Sequence, residues 1–356
     1  MVNTVEYRVI NARVDGELTE LYAKDGKLCR ADEIGDGATV IDAGGATVRP
    51  GLVEIHSHGC LGYDTMDGHL SEMAAYQFRH GVTSWLPTTM TMPLSDIKAA
   101  TDVIPERGEG EAKIVGFHLE GPYIAEKYKG AQNSDYLALP SLKDLGALRN
   151  YKMITVAPEL EGAMEFIRGA DAVISLGHSA ADYETGERAF RCGARCLTHT
   201  CNAMAPLHHR DPALIGAAMV EGGYAQVICD GVHIHKAMVL ALYRMFGPER
   251  MILISDSMRA TGLSDGIYSF GGQAITVRDG VARTEDGALA GSTASLYDCV
   301  RKAVEFGIPE EDAYRMASKT PAELMGWRKG ALLPGYDAEL ILVGEKGELI
   351  KTLILD

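Results

Sequence analysis

Residues 52–58 read Leu52-Val53-Glu54-Ile55-His56-Ser57-His58, an apolar run that closes on two imidazoles. Runs of this kind recur along the middle of the chain, each ending in a polar residue before a loop. They lie at Val82–Thr88, Ile114–Glu120, Met153–Pro158, Val173–His178, Arg195–His199, Ala225–Asp230 and Met251–Asp256. Helical segments fall between several of them, at Ser71–His80, Ser141–Tyr151, Asp182–Cys192 and Lys236–Phe246. Eight strand–helix alternations with no reversal predict an α/β protein built as a (β/α)8 TIM-like barrel. A Gly-rich, β-like insert, Gly266–Ala290, follows the eighth strand. The helix predicted after it, Ser292–Phe306, places Leu296, Cys299, Val300 and Ala303 on one face.

Outward from the barrel the rhythm changes. Tyr7–Ala12, Gly16–Ala23, Lys27–Ala31 and Thr39–Val48 alternate or carry β-branched residues, with turn chemistry at Asp25-Gly26 and Gly35-Asp36-Gly37. Ala338–Val343 and Leu349–Leu355 have the same character. These two ends predict a small β-sandwich domain from residues 1–50 and 330–356, around a barrel of residues 51–329.

The 356 residues are 46% apolar and 23% charged, enough for a large core and too little charge for a disordered chain. With 34 basic and 49 acidic residues the net charge is −15, which disfavours nucleic-acid partners. No apolar stretch reaches the ~20 residues of a membrane helix, and the N-terminal stretch lacks a secretory pattern. Seven cysteines without zinc-ribbon pairing suggest reduced thiols and a cytoplasmic protein. Cys192, Cys196 and Cys201 read as buried small hydrophobes rather than a cluster site.

The strand ends carry the chemistry. On a strand, side chains at i and i+2 point the same way, so His56 and His58 face one side. Alone the pair could equally be satisfied by backbone. Glu120, His178, His199 and Asp256 close strands three, five, six and eight, and such groups are costly to bury unless paired or bound to a metal. A Glu with several His suits a divalent ion such as Zn²⁺ or Fe²⁺. Asp256 in Ser255-Asp256-Ser257 could also cap a helix, and His118, two residues before Glu120, could support the fold or the metal ligands.

Six motifs then stand at strand ends: His56-Ser57-His58, His118-Leu119-Glu120-Gly121-Pro122, Gly177-His178-Ser179, Thr198–Met204, Asp230–His233 and Ser255-Asp256. In these the chain resembles the amidohydrolase superfamily. Lys129-Gly130-Ala131 and Asn202-Ala203-Met204 resemble its branch that deacetylates amino-sugar phosphates. The resemblance implies hydrolysis of the acetamide of N-acetylglucosamine 6-phosphate, with Asp256 as base and then acid. It implies that Glu120, His178 and His199 hold the principal metal and His56 and His58 a second, giving one or two Zn or Fe ions per chain. Ala131, Gln132, Asn202, Ala203, His233 and Arg210 would contact the small amino-sugar phosphate, the arginine reaching across a homodimer interface.

Gln132 is a departure, because a histidine commonly follows Lys-Gly-Ala in that branch. An amide donates a hydrogen bond but does not become cationic. The accepted epimer or acyl group could therefore differ: N-acetylgalactosamine 6-phosphate or another N-acyl amine is the alternative substrate. A non-catalytic sugar-phosphate sensor is the reading from another class. Arg259, just past Asp256, could be a substrate contact or a salt-bridge partner. Glu339, where many amidohydrolases have Asp, is a conservative difference in the terminal sheet.

Overall fold

A computed structural model describes residues 5–356; residues 1–4 of the terminal stretch lie outside it. The parallel barrel strands are Leu52–Ser57, Val82–Pro87, Phe117–Glu120, Tyr151–Val156, Val173–Leu176, Cys196–Leu197, Tyr224–Ile228 and Met251–Ile254. All eight predicted strands are present, forming the (β/α)8 barrel. The third is broken: Lys113–Ile114 pairs with the second strand, Phe117–Glu120 pairs with the fourth, and Gly116 at φ +139° makes the step.

Closure between the first and eighth strands uses a side chain. No regular ladder joins them among the described residues. Instead the buried Glu54 carboxylate accepts the backbone N–H of His56 and that of Ser255, each at 3.0 Å. Beyond it, Asp256 N donates to His56 O at 3.0 Å and His58 N to Ser257 O at 2.8 Å.

Helices cover the outside. Asp182 caps Tyr183–Cys192 by accepting from Thr185 N, and Lys236–Phe246 has the predicted bounds. Two expectations are corrected. Of Ser141–Tyr151 only Leu142–Leu145 is helical, because Gly146 follows and Asn150, at φ +59°, turns the chain into the fourth strand. The helix predicted from Ser292 begins at Leu296: Ser295 and Asp298 form its capping box, while Ser292 Oγ donates to Ser255 O at 2.5 Å. Leu296, Cys299, Val300 and Ala303 are buried on it as expected. Ala213–Glu221 escaped sequence reading because its first six residues are all buried, which erases amphipathic periodicity.

The Gly-rich insert is a three-stranded antiparallel sheet, Gly266–Phe270, Gln273–Arg278 and Val281–Thr284. Its Phe270, Ile275, Val277 and Ala282 pack with Met90, Ala131 and Met258 beside the barrel mouth.

The chain ends meet in a seven-stranded sheet with its own apolar cluster, including Val9, Ala23, Val48, Leu340 and Leu353. Thr47–Pro50 lies between Glu6–Val14 and Glu339–Val343 and runs directly into the first barrel strand. Predicted strand Thr39–Val48 is two strands, since Gly44 and Gly45 adopt positive φ between them.

Glu339 joins this sheet to the barrel. Its Oε2 accepts from Thr83 Oγ1 at 2.9 Å and Ser84 Oγ at 3.0 Å, while Oε1 meets the buried Lys329 Nζ at 2.6 Å. Lys113 Nζ also lies 3.3 Å from Oε1, and Lys329 has Asp337 as a second partner at 2.5 Å, so removing Glu339 strands two buried hydroxyls rather than a bare charge, a cost of about 1–3 kcal/mol. Glu339→Ala should therefore lower the urea midpoint by that equivalent, and Glu339→Gln, which keeps the hydroxyl hydrogen bonds, by less. A loss below about 1 kcal/mol for Glu339→Ala would remove the joint from Glu339.

Candidate active site

Strand ends place the ionisable residues, and three take a backbone shape that non-glycine residues rarely adopt. His178, His199 and Asp256 sit at φ +47°, +24° and +48°. Left-handed conformations of this kind cost about 1–3 kcal/mol each and turn a side chain sharply off the strand axis. Here they turn two imidazoles and a carboxylate toward Glu120.

Glu120 is the hub. Its Oε1 lies 3.2 Å from His56 Nε2, 3.3 Å from His178 Nε2 and 3.0 Å from His199 Nε2. Its Oε2 lies 3.1 Å from His58 Nε2. Asp256 Oδ1 is 3.4 Å from His56 Nε2 and 3.3 Å from His58 Nε2. Two compact donor groups result, His56–His58–Glu120 and Glu120–His178–His199, sharing the carboxylate.

The outer nitrogens fix how these rings are presented. His56 Nδ1 donates to Gln226 Oε1 at 2.9 Å, His58 Nδ1 to Thr88 O at 3.2 Å and His178 Nδ1 to Tyr128 O at 2.8 Å. A proton held on Nδ1 leaves the Nε2 lone pair facing inward, the tautomer a metal ligand requires. His56 Nε2, Glu120 Oε1 and Asp256 Oδ1 are buried with no hydrogen-bond partner among the described residues. Buried polar atoms are almost always partnered, so convergent orphans of N and O type fit a divalent cation.

Burial pushes the Glu120 carboxyl up, but the His56 and His178 imidazoles outweigh it and hold the group well below the usual carboxylate range. At Asp256 burial is likewise outweighed by His56 and His58, which hold its carboxyl below the usual carboxylate range. His118 is driven well below its usual value by burial and by His56. Its Nε2 meets Thr155 Oγ1 at 2.8 Å and its ring packs edge-on to His56, so it supports a candidate ligand from behind.

A cavity of about 310 Å³ opens over this cluster, lined by His58, Glu120, Ala131, Gln132, His178, His199, Asn202, Ala203, His233 and Asp256. His56 lies outside that lining, wholly buried. His233 is aimed by Asp230, whose Oδ1 accepts the His233 N–H at 2.9 Å and whose Oδ2 accepts Nδ1–H at 2.7 Å. Burial lowers the His233 pKa and Asp230 more than restores it, for a net rise that favours the cation.

Two sequence-selected arginines lie elsewhere. Arg210 is exposed in the turn His208–Asp211, donates to His209 Nε2 at 2.8 Å and does not line this chain's cavity. Arg259 pairs with Asp64 and, at 3.1 Å, with Asp67, which makes it a salt-bridge partner that pins the loop after the first strand. Sequence reading missed Phe270, whose ring stands edge-on to His58 at 5.2 Å, and Ala288, for which the Gly-rich composition of the insert was the only signal. Leu289 and Gly291, in the stretch Leu289-Ala290-Gly291-Ser292 that shares the resemblance more weakly, complete the wall.

Residues 47–355 match the amidohydrolase family. An N-acetylglucosamine-6-phosphate deacetylase of Vibrio furnissii is 38% identical over 97% of this chain and 89% of its own. An N-acetylgalactosamine-6-phosphate deacetylase of Escherichia coli O157:H7 is 37% identical over 90% of this chain and 89% of its own. The crystal structure of the N-acetylglucosamine-6-phosphate deacetylase of Thermotoga maritima superposes with a TM-score of 0.87 at 30% identity, covering 98% of each chain. A mutant of the Mycobacterium smegmatis enzyme, solved in complex with N-acetyl-D-glucosamine-6-phosphate, superposes at 0.86 with 28% identity, over 98% of this chain and 97% of that one. Fold, strand-end chemistry and relatives agree: this chain belongs to the amidohydrolase family, alongside the deacetylases of amino-sugar phosphates.

Proposed function

We propose that the chain hydrolyses the acetamide of N-acetylglucosamine 6-phosphate, releasing acetate and glucosamine 6-phosphate. The observation that carries this reading is the Asp256 carboxylate, with Oδ1 3.3–3.4 Å from the His56 and His58 Nε2 atoms, lining a cavity beside the two candidate metal groups. Residues 51–329 carry the chemistry, and residues 1–50 with 330–356 form the separate β unit.

Glu120, His178 and His199 hold the principal ion, and His56 and His58 complete a second position; donors of this borderline set accept zinc or iron. A divalent cation there supplies Lewis acidity and lowers the pKa of water from ~16 toward ~7. Asp256 takes a proton from the water that attacks the acetamide carbon. It then delivers that proton to the nitrogen as the C–N bond breaks, so the product leaves as a neutral amine. Asn202, the Ala203 and Ala131 backbone and His233 orient the sugar, and the His233 cation attracts the phosphate. Arg210 completes phosphate binding from the partner in a homodimer, which accounts for its distance from this chain's own cavity. Seven free cysteines favour a reducing, cytoplasmic setting. No helix among the described residues is long and apolar enough to cross a membrane.

The E. coli relative, nearly as similar, supports a second reading in which the galacto epimer is preferred. Acetate release from N-acetylglucosamine 6-phosphate, its galacto epimer and the unphosphorylated sugar, using protein of measured metal content, decides between them. Rapid release from neither phosphate would overturn both, and with sugar-phosphate binding intact would establish a sensor.

Asp256→Asn should lower kcat by about 10²–10⁴ while metal content stays unchanged. Near-normal turnover would remove Asp256 as base. Arg210→Ala should raise KM for the phosphorylated sugar by about tenfold or more and spare any activity on the neutral one. An equal effect on both substrates would make Arg210 structural. His233 is cationic below its raised pKa and loses charge above it, so KM should rise at alkaline pH. Asp230→Asn removes the group that raises that pKa, and the climb in KM should then begin at lower pH. An unmoved profile would separate Asp230 from phosphate binding.

A further inference from the structure

Gln132 lines the cavity, yet both ends of its amide are already engaged. Its side chain is only 3% exposed. Oε1 accepts the backbone N–H of Thr91 at 2.8 Å, and Nε2 donates to Glu120 Oε2 at 2.8 Å. One side chain thereby ties together the loop after the second strand, the end of the third strand and the segment that follows it.

The segment is itself held in place. Gln132 N donates to Lys129 O at 3.0 Å, Lys129 Nζ donates to Gln132 O at 3.2 Å, and Gln273 Nε2 of the insert donates to Ala131 O at 2.8 Å. The Thr91 loop is also fixed: a Cβ on Gly121 would come within 2.0 Å of Thr91 Oγ1, so the two loops are packed to the limit that glycine permits. Gln132 is thus a short strut between two rigid walls.

Its consequence falls on Glu120. The carboxylate has two equivalent oxygens, and a carboxylate torsion is soft and two-fold. Oε1 faces His178, His199 and His56, whereas Oε2 has His58 and the Gln132 amide. A donor on Oε2 fixes the plane of the group and leaves Oε1 turned to His56, His178 and His199.

We propose that Gln132 is a positioning residue that locks the Glu120 carboxylate for metal binding, rather than a polariser of the acetamide carbonyl. An amide suits this task because its donor and its acceptor persist at every pH. An imidazole in the same place loses its acceptor whenever it is protonated. The inference rests on the ligand assignment above and not on the identity of the substrate.

The test reads metal retention without substrate. Zinc-loaded parent, Gln132→Leu and Gln132→Met are challenged with a chelator, and zinc release is followed with a chromogenic dye. Glu120→Gln sets the floor. Met matches Gln in length, so it keeps the packing if the branched Leu disturbs it; melting of the metal-stripped proteins reports the fold. Loss of a side chain that orients a ligand weakens metal binding by about 10–100-fold. Both variants should therefore release zinc at least tenfold faster than the parent. With excess zinc, KM should stay within about twofold while kcat falls. Parent-like retention in both variants overturns the proposal, and a raised KM with unchanged retention shows a substrate contact instead. A parent that holds no zinc refutes the ligand assignment, whereas a parent that holds zinc and releases no acetate refutes only the deacetylase reading.

Discussion

A carboxylate buried among imidazoles sets the constraint that the rest of the barrel satisfies. Glu120 is 2% exposed and stands within 3.3 Å of four Nε2 atoms brought from strands one, five and six. Burying such a charge alone would cost far more than a small protein can bear. Its surroundings are therefore built in layers. The rings face it through Nε2 because Gln226, Thr88 and Tyr128 hold three of their outer nitrogens. The backbone supports the same point by accepting left-handed geometry at His178, His199 and Asp256. Local strain and convergent charge are thus two sides of one arrangement, and neither would be stable without the other.

Closure of the barrel serves the same centre. Glu54 occupies the seam between strands one and eight, where its two oxygens bind the backbone of His56 and of Ser255. These N–H groups flank a candidate metal ligand and the candidate base. Burial pushes the Glu54 carboxyl up to about 7, with the Ser255 and His56 hydrogen bonds pulling the other way. A backbone ladder would join two strands in a repeating register; here the Glu54 carboxylate, with two backbone hydrogen bonds beyond it, joins them at the level of the active site.

The fold and the chemical cluster were largely legible in the sequence because their signals are local. Apolar runs ending in His, Glu or Asp mark barrel strands, and i, i+2 spacing places His56 and His58 together. What escaped depends on partners distant in the chain. Ser292 looked like a helix start, yet its hydroxyl binds Ser255 O at the end of the eighth strand, beyond the whole insert in sequence. Gln132 lines the cavity, but its hydrogen bond to Thr91 N is invisible from its neighbours in sequence. Arg259 could be resolved only once Asp64 was seen beside it. Glu339, apparently a neutral variation, proved to be the buried joint with Lys329, Thr83 and Ser84. Arg210 was chosen by resemblance, and within one chain it lies outside the cavity lining.

The terminal sheet bears on how the chain folds. Thr47–Pro50 pairs with Glu339–Val343, so one edge of the strand that leads into the barrel waits for residues that lie beyond the whole barrel in sequence. Contacts of such long sequence separation are slow to form, because loop closure must come before any pairing energy is gained. Until that pairing forms, Thr47–Pro50 presents an unpaired β edge, the kind of surface that recruits other chains. The barrel can assemble its helices and strands by short-range steps, while the sheet beside it closes only when the hairpin Glu339–Ile354 arrives. Productive folding is therefore a race between delivery of that distant hairpin and capture of an open edge.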